Sequence, residues 1–339
     1  MTYNDKFNIG ENIIGINSPT YFIADIAANH DGDINRAKDL IYLAKESGSH
    51  CAKFQHFEAD KIVSDHGFKS MSNDKMSHQA SWHKSVAEIY DDYHTKREWN
   101  NELIETCKKA EIEFMTTPYD FEAIEDLIDN VNAVKIGSGD ITYKKLLNQI
   151  SLLNKPILLA TGASDIHEVM DAVDVIKAVN KNICLMQCNT NYTGDLENFK
   201  YVNLNVLKTF ATIYPNMPLG LSDHTPGCSA VLGAIALGAR VIEKHFTDDN
   251  ERVGPDHHFA MNPKTWSEMI SYSRELEMSL GNEKKIIEEN ETESVLVQRR
   301  SIHANNKIKK NSVIKKKDLI VLRPYLKNSF APATFCGSN

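Results

Sequence analysis

The sequence predicts a closed (β/α)8 TIM barrel, on three observations. Eight short apolar, β-rich runs recur along the chain, helix-period segments lie between them, and the eight units fit within about 260 residues, the size such a barrel needs. Runs that are apolar almost throughout belong to strands buried on both faces, as a parallel sheet wrapped in helices requires. An open, doubly wound sheet is the alternative with the same element order.

Taken in order, "FNIGENIIG" (7–15) reads as a small hairpin closing the barrel's bottom. The eight strands are then "YFIADIA" (21–27), "HCAKFQHF" (50–57), "IEFMTTP" (112–118), "NAVKIGSG" (132–139), "KPILLATG" (155–162), "NICLMQCN" (182–189), "MPLGLSD" (217–223) and "ARVIEKHF" (239–246). Between them, residues 34–48 carry the i, i+3/i+4 apolar stripe of a helix and stop at Gly48. Residues 96–110, 120–130, 165–180 and 228–239 behave likewise. Residues 57–95 interrupt the repeat with a polar insertion rich in His, Ser and Met. An insertion after a strand overlies the mouth of a barrel, so a lid is expected there. The helical 264–281 leads into an acidic linker. The expected domains are a barrel over 1–281, a linker over 282–298 and a small module over 299–339.

Composition narrows the class. The chain has 339 residues, 42% hydrophobic, with a net charge of −8, which argues against general nucleic-acid binding. Its first residues lack the basic-then-apolar plan of a signal peptide, and no apolar run reaches bilayer length. A soluble cytoplasmic protein is expected. The six cysteines form no CxxC pair. Cys184 and Cys188, four apart on one strand, stand roughly 13 Å apart at the usual rise, too far for a disulfide, so reduced thiols are expected.

The strand ends carry the chemistry. They present Asp25 with Asn29 and His30, Lys53 and Gln55, Thr116 and Thr117, Lys135 and Ser138, Thr161, Asn191 and Tyr192, Ser222, Asp223 and His224, then Glu243 and His245. Polar groups at almost every strand end are costly unless paired, and a purely structural barrel has no need of them. Lys53, Lys135, Gln55, Thr117 and Ser138 suit the phosphate and carboxylate of one small anion. The chain has no nucleotide-binding glycine loop. His224 and His245, on neighbouring strands, can share one divalent ion. Asp25, Asp223 and Glu243 are candidates for proton handling or ligand support. Plainer readings stand beside these: Lys53 as an ion-pair partner of Glu243, Lys135 snorkelling to the rim, and His257 and His258 as loop surface. His56, His66, His78 and His83 show no ligand spacing, and the lysines of 307–317 read as a solvated face.

The stretches "FIADIAANHDGD", "AKFQHF", "FMTTPYD", "VKIGSGD", "LLATGAS", "NYTG", "GLSDHTPG", "LGARVIEKHFTDD" and "GPDHHFAMNP" resemble the sialic acid synthases and their nonulosonic-acid relatives, in register over about residues 12–285. The resemblance implies a barrel that condenses phosphoenolpyruvate with an N-acylated amino sugar, N-acetylmannosamine first among them, and releases phosphate. It implies a divalent metal, Mn2+ or Mg2+, on His224 and His245. It implies phosphoenolpyruvate on Lys53, Gln55, Thr117, Lys135, Ser138 and Ser222 with Tyr192 close by, and Asp256 and Glu243 near sugar and metal. Residues 299–339 resemble the opening of the family's antifreeze-like (SAF-type) domain, which implies a domain-swapped homodimer and an N-acyl contact from Arg323. That module is shortened, and "FAPATFCGSN" is unlike its usual continuation. Other departures are Asp25 for the usual Glu, Ala160 where a Ser is common, and "QCNTNY" for a His-Cys-Thr opening. A legionaminic- or pseudaminic-type synthase fits the same residues. An aldolase that does not use phosphoenolpyruvate and a non-catalytic sugar-binding paralogue are the competing classes.

Overall fold

The computed structural model describes residues 3–71 and 84–335. The chain divides into two compact units, Met1–Leu280 and Gly281–Asn339.

The first unit opens with an antiparallel hairpin, β1 (Lys6–Ile9) and β2 (Asn12–Gly15). Eight parallel strands follow: β3 (Tyr21–Asp25), β4 (Cys51–His56), β5 (Glu113–Pro118), β6 (Val134–Ile136), β7 (Ile157–Ala160), β8 (Ile183–Cys188), β9 (Leu219–Asp223) and β10 (Ala239–His245). They close into one barrel in sequence order, with β10 returning to β3, so the open doubly wound sheet is excluded. The helices of this unit are α1 (Ile34–Glu46), α2 (Ala59–Ile62), α3 (Asp65–Met71), α4 (Val86–Tyr93), α5 (Asn100–Ala110), α6 (Phe121–Leu127), α7 (Lys144–Leu152), α8 (Ile166–Lys177), α9 (Val206–Ile213), α10 (Ser229–Ala236) and α11 (Pro263–Leu280).

The strand pleat divides the apolar residues between two cores. Outward residues such as Phe22, Ala24, Phe54 and Leu185 pack under the helices in one large cluster. Inward residues such as Ile23, Cys51, Met115 and Val241 form a second cluster, which Phe7, Ile9 and Ile14 of the hairpin complete. The hairpin thus plugs the barrel, as expected. Gly220 shows how tight the wall is: a Cβ there would lie 2.7 Å from the Val241 carbonyl oxygen and 2.8 Å from Met186 Cγ.

Local chemistry explains which elements are legible. Asp33 accepts from the Asn35 N–H to start α1, and Gly48, at φ 93°, takes the left-handed turn that ends it. Helices α7 and α9 went unread, and neither has a side-chain cap hydrogen bond to announce it. The insertion expected over 57–95 is not merely polar loop: it carries α2, α3 and α4, and Ser85 with Glu88 forms a capping box at the start of α4. Residues 72–83 of that insertion, His78 and His83 included, lie outside the described residues, as does Cys336. The other five cysteines are free, and four of them are buried.

In the second unit, residues expected as linker contain α12 (Thr292–Gln298). Two antiparallel strands follow, β11 (Ser301–Ala304) and β12 (Leu319–Leu322). Among its described residues Ser301 alone is buried, while Val313, Leu326 and Phe330 are exposed. No helix among the described residues is long and apolar enough to cross a membrane.

Two fully buried histidines give the first unit a pH dependence. His56 lies 2.7 Å from Thr116 Oγ1 and 2.9 Å from Asn100 Oδ1, and His30 packs edge-on to Trp99. Burial pushes His30 down to about 4 and His56 to about 3. Both folded values lie below the unfolded one, so the unfolded chain binds the extra protons as pH falls below about 6.5. Each should therefore cost about 2 kcal/mol of stability at pH 5 relative to pH 7.5. Urea titrations at the two pH values check this, and His56→Gln should shrink the difference by about 2 kcal/mol.

Candidate active site

Pleat parity aims the strand-end residues. On β4, Cys51, Lys53 and Gln55 share the inner face, and on β10 Val241, Glu243 and His245 do so. Register sets their heights: Lys53 pairs with Asp25, and His245 pairs with Asp25 across the closing seam.

The result is two buried ion pairs under one mouth. Lys53 Nζ lies 2.7 Å from Asp25 Oδ2 and 3.2 Å from Thr117 Oγ1. Gln55 Nε2 donates to the same Asp25 oxygen at 3.2 Å. Lys135 Nζ lies 3.3 Å from Glu243 Oε1, which also accepts from Ser222 Oγ at 3.0 Å. Burial alone would lower Lys53 and raise Glu243. The Asp25 and Glu243 charges instead hold Lys53 above its usual value, and Lys135 with Lys53 brings Glu243 down to about 2. Ser138 Oγ accepts the Gly162 N–H at 2.9 Å, and a Cβ at Gly162 would lie as close as 2.6 Å to Thr190 Cγ2, so the turn after β7 needs glycine.

The imidazoles lie beside these pairs, His245 level with Asp25 in the sheet register. The His224 and His245 ring centroids are 5.4 Å apart, with Tyr192 4.3 Å from His224 and Phe259 5.0 Å from His245. His224 Nδ1 lies 2.9 Å from the Asn189 carbonyl, which can only accept, so the proton belongs on Nδ1 and the Nε2 lone pair is left available. Burial and the neighbouring His245 push His224 down to about 4. His245 stands between Asp256 (Oδ2 3.4 Å from Nδ1) and Asp25 (Oδ2 3.9 Å from Nε2). Burial pulls its pKa down, but those two carboxylates carry it above the usual value, so this point favours positive charge. Asp256 in turn is lowered by His245 against the opposite pull of burial. Asp25 Oδ1 and Glu243 Oε2 are buried with no hydrogen-bond partner among the described residues. Neutral imidazole, orphaned acceptors and a field favouring a cation fit a divalent metal. Among the described residues, though, no group of three or more His, Cys, Asp or Glu side chains could hold one by itself.

Several expectations need correction. Lys53 pairs with Asp25 rather than Glu243, because register puts residues 25 and 53 side by side. Lys135 is buried and does not snorkel to the rim. Asp223 falls on the outer parity of β9 and meets Lys244 at 2.5 Å between barrel and helices, so it serves structure. Thr116 likewise faces outward, to His56. Asn29 holds the Phe246 carbonyl, Thr161 the Met186 carbonyl, and Asn191 the turn to Thr193. His257 is fully buried, between Asp31 Oδ1 at 2.8 Å and Thr247 Oγ1 at 2.7 Å, while His258 is exposed. Arg323 follows β12 in the second unit. Tyr119, Phe259 and the aromatics of α4 were missed, although Tyr90 and Tyr93 show helical i, i+3 spacing.

A closed (β/α)8 barrel whose mouth gathers two lysine–carboxylate pairs and two histidines has the build of a barrel enzyme's active site. The chain belongs to the NeuB family, whose model matches residues 40–285. It is 35% identical to an N,N'-diacetyllegionaminic acid synthase of Legionella pneumophila, over 96% of this chain and 90% of that protein. It is 30% identical to the human N-acetylneuraminate-9-phosphate synthase, over 80% of this chain and 74% of that protein. The crystal structure of N-acetylneuraminic acid synthetase from Leptospira borgpetersenii, in complex with citrate, superposes with a TM-score of 0.73 at 26% identity, covering 86% of this chain and 95% of that one.

The ion pairs can be tested directly. Lys135→Met leaves Glu243 buried with its nearest cation gone, and should cost about 3 kcal/mol or more of stability. Adding Glu243→Gln should recover at least half of that loss, read from urea denaturation of the single and double variants.

Proposed function

We propose that this chain condenses phosphoenolpyruvate with an N-acylated amino sugar, giving a nonulosonic acid and free phosphate. The observation that carries the reading is the meeting, in one barrel mouth, of two buried lysine–carboxylate pairs with two imidazoles 5.4 Å apart. That arrangement offers an anion site and an electrophile site in one mouth, in a chain of the NeuB family.

Lys53 and Lys135 bind the phosphate and carboxylate of phosphoenolpyruvate, with Gln55, Thr117, Ser138 and Ser222 as neutral donors and Tyr192 beside them. To receive the anion, each lysine exchanges part of its hold on Asp25 or Glu243. Carbon 3 of phosphoenolpyruvate attacks the open-chain sugar's aldehyde carbon, and the carbonyl π pair moves to the aldehyde oxygen, which ends as a hydroxyl with a proton supplied overall by the added water. Cationic character develops at carbon 2. Asp25 or Glu243 stabilises that charge and takes a proton from the water that adds there. The tetrahedral intermediate then expels phosphate by cleavage of its C–O bond. His224 and His245 hold a divalent ion, Mn2+ or Mg2+, with Asp256 orienting His245 and facing the sugar. When bound, that ion supplies Lewis-acid polarisation of the aldehyde.

Asp25 is one methylene shorter than the Glu of the resemblance, and here it reaches Lys53 at 2.7 Å. An engaged acid supports an active enzyme over a non-catalytic paralogue. N-Acetylmannosamine, N-acetylmannosamine 6-phosphate and the diacetamido sugars behind legionaminic-type products are the substrates to compare.

The second unit, with Arg323 as its sugar contact, belongs in this reading to a homodimer in which it covers a partner's barrel. The exposed apolar Val313, Leu326 and Phe330 among its described residues support that role. Light scattering should give twice the chain mass for the full chain and a monomer for a chain ending at residue 280.

The test of the reaction is incubation with phosphoenolpyruvate, Mn2+ and a panel of amino sugars, with phosphate release followed and the product identified by mass. Release that needs no sugar, or a product without the added pyruvyl carbons, rejects the condensation. His224→Ala and His245→Ala should each lower turnover at least about a hundredfold and weaken Mn2+ binding in calorimetry; unaltered Mn2+ binding in both removes the metal assignment.

A further inference from the structure

Beside His245 and Asp256 the barrel mouth opens into a cavity of about 150 Å3. Its opposite wall comes from the insertion after β4: Phe57, Ile62 of α2, and Ile89, Tyr90 and Tyr93 of α4. Phe57 ties that wall together, its ring 5.1 Å from Tyr90 and 5.8 Å, edge-on, from Tyr119. The lining therefore joins the imidazole, the carboxylate and Gln55 to tyrosines that present both ring and hydroxyl, while Phe57, Ile62 and Ile89 of the insertion offer apolar surface alone.

Among the described residues, the lysines of the insertion are paired with carboxylates. Lys61 meets Glu58 at 2.8 Å and also Glu122, Lys69 meets Asp65 at 2.5 Å, and Lys84 meets Asp92 at 2.6 Å. Among the described residues, none of the cavity's lining is Lys or Arg, and Asp256 contributes a carboxylate. A phosphate in this cavity meets that carboxylate, and a hydroxyl against Ile62 or Ile89 loses water without gaining a partner. A methyl group on the same surface gains by burial.

We infer that the insertion wall is a specificity surface, selecting an unphosphorylated amino sugar whose far end carries apolar groups, such as a second N-acyl group or a terminal deoxy methyl. This rests on the condensation reading, which puts the aldehyde at the His245 end. Ile62 and Ile89 are specificity-determining residues, acting on the far end of the sugar and not on the reacting carbons.

The experiment uses the full chain with phosphoenolpyruvate and Mn2+ and measures kcat/KM for three sugars: N-acetylmannosamine, its 6-phosphate, and 2,4-diacetamido-2,4,6-trideoxymannose. The trideoxy sugar should exceed both others by about tenfold or more, the scale of apolar-group discrimination in a pocket. Ile62→Asn and Ile89→Asn should each lower the ratio of the trideoxy sugar to N-acetylmannosamine by about tenfold. Because the readout is a ratio within one variant, a general loss of folded enzyme does not mimic it. A preference for N-acetylmannosamine or its 6-phosphate, or an unchanged ratio in both variants, overturns the specificity and leaves the condensation standing. No phosphate release from any of the three overturns the condensation, and the specificity with it.

Discussion

The site depends on two lysine ammonium groups kept charged inside a closed barrel. Lys53 and Lys135 are buried, where an isolated cation would cost many kcal/mol, and each survives because a carboxylate from a neighbouring or facing strand meets it. Closure brings those partners together. Asp25 stands on β3 and Glu243 on β10, far apart in the chain and adjacent across the seam that shuts the barrel. A small anion entering such a site finds preorganised positive charge and donors that need not be recruited from solvent. The paired carboxylates keep that charge tolerable while no anion is bound.

Around this centre the outer groups lock the loops that carry the site. Asp223 and Lys244 form a fully buried pair between β9 and β10, and Lys244 also donates to the Thr225 carbonyl beside His224. At the mouth, Asp31 gathers Arg36, Arg252 and His257, while Arg36 also bridges to Asp248. This network spans the loop bearing Asp256, so the carboxylate facing His245 is held by contacts more than two hundred residues apart in sequence. The insertion after β4 is built differently: its described helices are short and mostly half-buried to exposed, and Lys61, Lys69 and Lys84 meet carboxylates at the surface.

How far the sequence could be read follows from which signals are local. Apolar runs of strand length, the helix stripe ending at Gly48 and the hairpin before Tyr21 need only neighbouring residues, and all appear where expected. Helices α7 and α9 escaped: both are short, at nine and eight residues, and neither start carries a side-chain cap. The buried state of His257 escaped because its partner Asp31 lies 226 positions away. Asp223 looks like a mouth residue in a list of strand ends, yet pleat parity turns it outward to Lys244. That parity is legible once the register is known, and the register is a property of the closed sheet.

By itself the sequence determined the eightfold alternation, the types of group at each strand end and the resemblance that ties them to one chemistry, because these are set by residue identity and short-range periodicity. Only the tertiary structure decided which carboxylate meets which lysine, that the two imidazoles lie 5.4 Å apart, and that the insertion supplies an apolar wall beside them. Those are distances between segments far apart in the chain. They are fixed when the last strand pairs with the first and each side chain falls on one side of the wall.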